Sequence, residues 1–447
     1  MLGFETIGNA TLIAYDGNPV LVTDPWIRGG AYFGSWTFSH LIPQEQLDSI
    51  RQCPFIWVSH GHPDHLSIES LNYLPNKQFL LANHVGSRIA EDLRGLGMNV
   101  RILPEREWVQ LSPRIRVMTI SDYNQDSILL VDVGGVLLID INDAGDRGWG
   151  RFVRRIAGEF KTSYLLKLTD RGDADMINVF DDEGRRKPLN SAGMQVGKPL
   201  ARWAKVFGAT HVVPFSSFHR YQREDSVWAN QHAMTLDAYQ EGFDAPGTTL
   251  LPAFVRVNSE NGEVTQLRPP ANDVEALPAS AFGDNWLEPL EKDEKAKLTA
   301  YFQSKQILRK HVGFLRFVVG GEETIIDLNP RLRSFGITFE VPRASLMTAV
   351  EYQVFDDLLI GNFMRTTLHG GIRLYPDFTP LTAKYSDNGR ANTEAELRRY
   401  FLEYIRRDPG ATLRHLLELK SEDVFRKLVP MNSGPYKKVQ ALYWKLK

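Results

Sequence analysis

Within the run Ser59-His60-Gly61-His62-Pro63-Asp64-His65, three imidazoles and one carboxylate fall within six positions. Neutral imidazole and carboxylate are ligands for zinc, iron or manganese. His60 and His62 alternate about Gly61, so both rings can converge on one ion. Asp64 and His65 lie on the turn into the next helix and can reach a second ion nearby. Packing alone rarely gathers such groups, because buried polar side chains need partners.

A two-metal site needs more donors than one loop supplies. Asp143 lies just past the apolar run Leu138-Ile139-Asp140-Ile141-Asn142 and is placed to bridge two ions. Asp122 and Asp126 share the short segment 121–127. One reads as a ligand and the other as its support, with Asp122 preferred as the ligand. His219, after Pro214-Phe215-Ser216-Ser217-Phe218, is the candidate for the last ligand. Asp24, in Thr23-Asp24-Pro25-Trp26, suits the orientation of a metal-bound histidine, the alternative being an Asx-type turn before proline. Asp64 and Asp143 are the expected catalytic carboxylates. The remaining histidines read as structural, with His232 and His369 able to line a pocket.

The elements that must carry these residues are strands first. Glu5 to Tyr15 reads as a strand, Asp16-Gly17-Asn18 as a turn, and Pro19 to Thr23 as the return. Phe55 to Val58 is a short buried strand that feeds the histidine loop. Leu66 to Leu74 reads as a helix, Lys77 to Ala82 as a strand, and Val85 to Leu96 as a helix stopped by Gly97. A second hairpin has arms Ser127 to Val133 and Val136 to Ile141. Helices near 147–159 and 197–207 flank a strand at 163–168. Hairpins followed by strand–helix alternation predict an α/β domain over 1–266 in which two sheets are sandwiched between helices, an αββα order.

Residues 267–290, opening Arg268-Pro269-Pro270-Ala271-Asn272, read as a linker. Residues 291–447 read as a C-terminal α+β domain. It has a helix over 291–308, strands at 312–319 and 324–328, an amphipathic helix over 344–359, and charged helices near 393–407 and 410–428. A chain of 447 residues makes two domains the default.

Composition narrows the function. Fifty-two Lys and Arg against 54 Asp and Glu leave no field for nucleic acid or an acidic membrane. The single cysteine, Cys53, lies in an apolar run and excludes a Cys-rich zinc or iron–sulfur site. No stretch approaches the ~18–20 apolar residues of a membrane span, and Met1 to Thr6 has no signal-peptide pattern, so a cytoplasmic protein is expected.

With these motifs in place, Thr11 to Trp26 followed by His60-Gly61-His62-Pro63-Asp64-His65 resembles the metallo-β-lactamase superfamily. The closer resemblance is to the corresponding module of the CMP-N-acetylneuraminate hydroxylases. It takes in His62 to Ser67, the hairpin from Gln125 to Asp143, Pro214 to Phe218, and Asp356-Asp357-Leu358-Leu359-Ile360-Gly361-Asn362-Phe363. Those hydroxylases also carry a Rieske iron–sulfur domain, which one cysteine cannot support. Asp122 stands where that family has a histidine, and His219 where it has an aromatic residue.

The superfamily also includes non-haem diiron monooxygenases of natural-product biosynthesis, of the platensimycin and platencin type. The resemblance therefore implies two iron ions, O2 as co-substrate and hydroxylation of a C–H bond. It also implies an external reductase and a small hydrophobic substrate, such as a thioester-linked acyl or terpenoid group. Segments 173–178 and 215–221 resemble loops that face the metals. Oxygen-rich, anionic donors favour iron over zinc, which is the chemical argument for this reading. The alternatives are a dinuclear zinc hydrolase of an ester, amide or phosphoester, and a metal-stabilised binding protein. Trp26, Tyr32, Phe33, Trp36 and Phe38 supply either an apolar pocket wall or core. An oligomer is compatible with all three readings.

Overall fold

The computed structural model describes residues 1–168, 176–189, 195–233 and 236–417. Two sheets stack face to face. One holds eight strands in the order Val264–Gln266, Val255–Asn258, Leu2–Thr6, Leu12–Asp16, Asn18–Thr23, Phe55–Val58, Gln78–Leu81, Asn99–Ile102. The other holds seven, from Thr249–Leu250 through His211–Ser216, Thr162–Leu168, Val136–Asn142, Ser127–Val133 and Ile115–Ser121 to Val109–Ser112.

Alternation along the strands builds three apolar layers. Leu12, Ala14, Leu129 and Val131 point into the core between the sheets. Ile13, Val22, Ile56 and Phe79 face outward, under the helices Gln44–Gln52, Ile68–Asn72 and Arg88–Gly95. Ile128, Leu130, Ile139 and Leu165 pack under Gly150–Ala157 and Gly197–Phe207. Strands covered on both faces must be apolar at nearly every position, which is why Ile128 to Val133 and Leu137 to Ile141 show so little polar alternation. The result is an αββα sandwich, the layer order expected from the sequence.

Parallel pairing sets where the site falls. Asn18–Thr23 runs parallel to Phe55–Val58 in one sheet, and Val136–Asn142 to Thr162–Leu168 and His211–Ser216 in the other. Asp24, the 59–65 loop, Asp143 and the 217–219 segment all follow the carboxyl ends of these strands. In open α/β sheets that edge forms the ligand crevice.

A third sheet, Val179–Phe180, Arg365–His369, Gly336–Glu340, Phe314–Val319, Glu322–Asp327, has its own core of Leu298, Phe302, Phe317, Phe339, Phe355 and Phe378. Its edge strand Val179–Phe180 comes from the N-terminal half of the chain. The 267–290 stretch is tied down: Asp284, 2% exposed, accepts hydrogen bonds from Arg223 and from the backbone and hydroxyl of Ser345. Among the described residues no helix is long and apolar enough to cross a membrane.

Two elements depart from the sequence expectation. Glu5 to Tyr15 is a hairpin of Leu2–Thr6 and Leu12–Asp16, reversed at a turn where Ala10 takes φ 55°. The helix expected over 344–359 is two, Arg343–Glu351 and Phe355–Ile360, broken where Gln353 takes φ 54°. Helix continues over 409–417, and the rest of the segment expected to reach 428 lies outside the described residues. Pro380–Asn388 winds as a π-helix, closed by the Gly389 N–H donating to the Lys384 carbonyl.

Candidate metal centre

The histidine loop is anchored by Asp24, which is fully buried. Its Oδ1 accepts the Ser59 N–H at 2.8 Å, and its Oδ2 accepts the Ser59 hydroxyl at 2.7 Å and lies 3.0 Å from His65 Nδ1. With Nδ1 committed to a carboxylate, His65 offers Nε2 to the crevice. That nitrogen lies 3.3 Å from Asp64 Oδ2 and 3.8 Å from Asp143 Oδ2. His60 Nε2 lies 3.6 Å from the same Asp143 oxygen and 2.9 Å from His62 Nδ1.

His60, His65 and Asp143 therefore bring one donor atom each to a common point, all within 4.8 Å of one another. Donors roughly 3–4 Å apart are what ligands at ~2 Å from one ion require. Asp143 Oδ1 is buried with no hydrogen-bond partner among the described residues, as a carboxylate awaiting a cation would be.

A second cluster lies beside the first. His62 Nε2 is 3.1 Å from Asp356 Oδ2, and Asp357 completes a set within the same spacing. Both aspartates sit on Phe355–Ile360 and are buried. In the sequence this segment belongs to the family resemblance, with no ligand assigned to it. Its signal was two adjacent acids in an otherwise apolar helix. Asp64 reaches the crevice as well, with Oδ1 accepting the Tyr32 hydroxyl at 2.5 Å and Oδ2 the Asn9 amide at 2.9 Å.

Asp126, rather than Asp122, faces the cavity. Asp122 Oδ1 accepts the backbone N–H groups of Asn124 and Asp126, an Asx turn, and its Oδ2 lies 3.7 Å from Arg147. Sequence prefers Asp122 as the ligand; the structure places its Oδ1 in the turn, leaves its Oδ2 buried without a hydrogen bond among the described residues, and brings Asp126 to the cavity. His219 belongs to neither cluster. Its ring stacks on Trp36, centroids 3.3 Å apart, and its Nδ1 is 2.9 Å from the Ser217 hydroxyl. Segment 173–175 lies outside the described residues, whereas Met176 lines the cavity.

The electrostatics suit cations. Burial, with His65 and His62 beside it, holds His60 well below the usual histidine range, in the neutral form that ligates. Burial opposes charge on His65, but Asp64 and Asp24 outweigh it and raise its pKa. Burial also raises Asp143, where the Asp64 charge adds to it and His65 opposes. Burial and the neighbouring Asp356 and Asp64 raise Asp357 well above the carboxylate range. Five carboxylates at one crevice repel one another, and two divalent ions would relieve that repulsion.

The clusters open on a cavity of about 200 Å³. Tyr32, Trp36, Leu168, Met176 and Ile360 give it an apolar side, and Lys384 stands on its wall. Of the early aromatics, Trp26 and Phe38 pack against each other in a small core and Phe33 packs on the C-terminal one.

No family model matches the chain. The cytidine monophosphate-N-acetylneuraminic acid hydroxylase of Asterias rubens is 27% identical over 144 residues, 30% of this chain and 22% of that protein. The match thus spans less than a quarter of the relative's length. Among solved structures, CmlA, a diiron beta-hydroxylase from Streptomyces venezuelae, is 13% identical with a TM-score of 0.35, covering 59% of this chain and 54% of that one. Igni18, a metallo hydrolase from Ignicoccus hospitalis, is 13% identical with a TM-score of 0.36, covering 59% and 97%.

Proposed function

We propose that this chain, built on the metallo-β-lactamase fold, is a dinuclear metal-dependent monooxygenase that hydroxylates a C–H bond of a small, largely apolar substrate. The observation that carries the reading is the donor set. Carboxylates from both halves of the chain, Asp143, Asp356 and Asp357, join His60, His62 and His65 in two adjacent clusters. Oxygen-rich, anionic donors favour iron and stabilise its oxidised state. The sequence similarity to a hydroxylase over 30% of the chain supports the same choice.

His60, His65 and Asp143 would hold one ion, and His62, Asp356 and Asp357 the other. With iron bound, the pair would supply O2 activation, drawing two electrons from an external reductase and leaving one oxygen atom on the substrate and the other in water. The chain's own residues do the remaining work. Asp24 fixes the His65 ring, while Tyr32 and Asn9 hold Asp64 at the cavity wall. Trp36, Leu168, Met176 and Ile360 exclude water and present the apolar part of the substrate to the clusters. An acyl or terpenoid group is the substrate class this apolar lining favours.

A zinc hydrolase is the second reading, favoured by the three imidazoles, which suit zinc equally well. Elemental analysis and oxygen uptake separate the two. Protein produced with iron supplied is expected to hold about two irons per chain, the count a two-cluster site requires, and to consume O2 when reduced in the presence of a substrate. Zinc alone, with esterase activity retained, would reject the monooxygenase.

A further inference from the structure

Among the described residues lining the cavity, Lys384 is the one lysine or arginine, and the metal clusters do not use it. The residue is 8% exposed, and its nearest carboxylate oxygen, Asp126 Oδ1, is 3.7 Å from Nζ. That separation is too long for a hydrogen bond. Among the described residues no carboxylate lies closer to this ammonium, which carries three N–H donors. Its charge is balanced across a gap rather than by a hydrogen bond, and an unusual element of the fold holds it there. Lys384 sits within the π-helix Pro380–Asn388, a rare winding that is frequent at functional sites. Three residues on, Asp387 accepts from the Lys305 ammonium and from the Tyr301 hydroxyl at 2.7 Å, which fixes the helix from its other side.

We infer that Lys384 anchors the substrate through a carboxylate, so that the cavity takes a monoanionic acid whose apolar body lies along Trp36, Met176 and Ile360. One ammonium among several aspartates can neutralise a single negative charge. A doubly charged phosphate would meet Asp126 and Asp356 with too little compensation. The inference rests on the two-metal reading, because bound cations would engage Asp143 and Asp356 and leave Asp126, 3.7 Å away, as the carboxylate beside Lys384.

The test uses the full chain loaded with metal, as wild type, Lys384→Gln and Lys384→Arg. Metals are counted in each, and octanoate and the neutral octanamide are titrated by calorimetry. Wild type is expected to prefer octanoate by about tenfold or more, as a charge-assisted contact would give. Lys384→Gln is expected to lose most of that preference and Lys384→Arg to keep most of it, all three with the same metal content.

An undiminished preference in Lys384→Gln would overturn the inference, since the metals would then be binding the carboxylate. Loss of metal from Lys384→Gln would also overturn it, because the ammonium would then serve the aspartates. If Lys384→Gln does not fold, the absence of any octanoate preference in wild type decides against the anchor. A wild type that binds no metal, with an octanoate preference that Lys384→Gln loses, would reject the two-metal reading while upholding Lys384 as the anchor.

Discussion

Replacing Asp24 by Asn exchanges one carboxylate oxygen for an NH2 group in a fully buried position and tests how the histidine loop is held. The amide oxygen can still accept the Ser59 N–H, now made to Oδ1 at 2.8 Å. The amide nitrogen would take the place of Oδ2, which faces both the Ser59 hydroxyl and His65 Nδ1. The hydroxyl can rotate and accept. His65 has a harder choice, because an N–H pointing at its Nδ1 favours the tautomer that carries its proton on Nε2. Nε2 is the nitrogen that faces Asp143 at 3.8 Å, and a protonated nitrogen cannot ligate. Mutations of such orienting partners typically cost 10–100-fold in metal affinity, about 1.4–2.7 kcal/mol. Competition against a chelator, read by elemental analysis, would show weakening in that range, with melting of the metal-free protein little changed. Unaltered affinity in Asp24→Asn would refute the proposal that this carboxylate sets the His65 tautomer.

Two further outcomes concern stability. Burial depresses the His84 pKa to about 4, against the opposing pull of Asp126, so the folded chain resists its protonation while the unfolded chain protonates it near 6.5. Stability supplied by the neutral ring is complete above pH 6.5 and is lost as pH falls toward 4. His84→Gln should therefore narrow the gap in denaturant stability between pH 7 and pH 4.5 by about 1–2 kcal/mol, and an equal gap in both proteins would contradict the assignment. Arg223, fully buried, donates to Asp284 at 2.8 Å and to Asp225 through two bonds of 2.9 Å. Arg223→Met strands the buried Asp284 charge and is expected to cost about 3–5 kcal/mol in urea denaturation, whereas a loss under about 1 kcal/mol would show the pair to be dispensable.

The parts of the site that sequence exposed are those written in a few consecutive residues. The strand Phe55–Val58 and the 59–65 loop could be read together because ligand spacing and strand end lie side by side. Asp24 and Asp143 were visible for the same reason, each one step beyond an apolar run. Asp356, Asp357 and Lys384 meet the histidines across about three hundred residues of chain, and no local pattern encodes such an approach. The helix containing the two aspartates also carries an apolar stripe that reads as continuous from 344. Its break at Gln353 is a backbone event that the stripe does not show. Asp122 and Asp126 are equivalent on paper, and only the turn that takes Asp122 as its acceptor separates them. Asn9, in a stretch read as strand, became a turn residue that supports Asp64.

The Pro380–Asn388 winding carries one consequence for how this scaffold can diversify. A turn closed from i to i+5 accommodates a residue more than an α-turn, so deleting a single position there would let the segment relax to ordinary helix. Each residue removed swings everything downstream by about 100° around the axis. Chain length at this one spot would then act as a selector dial, with the longer form presenting a positive head to acids and the shorter form turning it away to leave a neutral chamber.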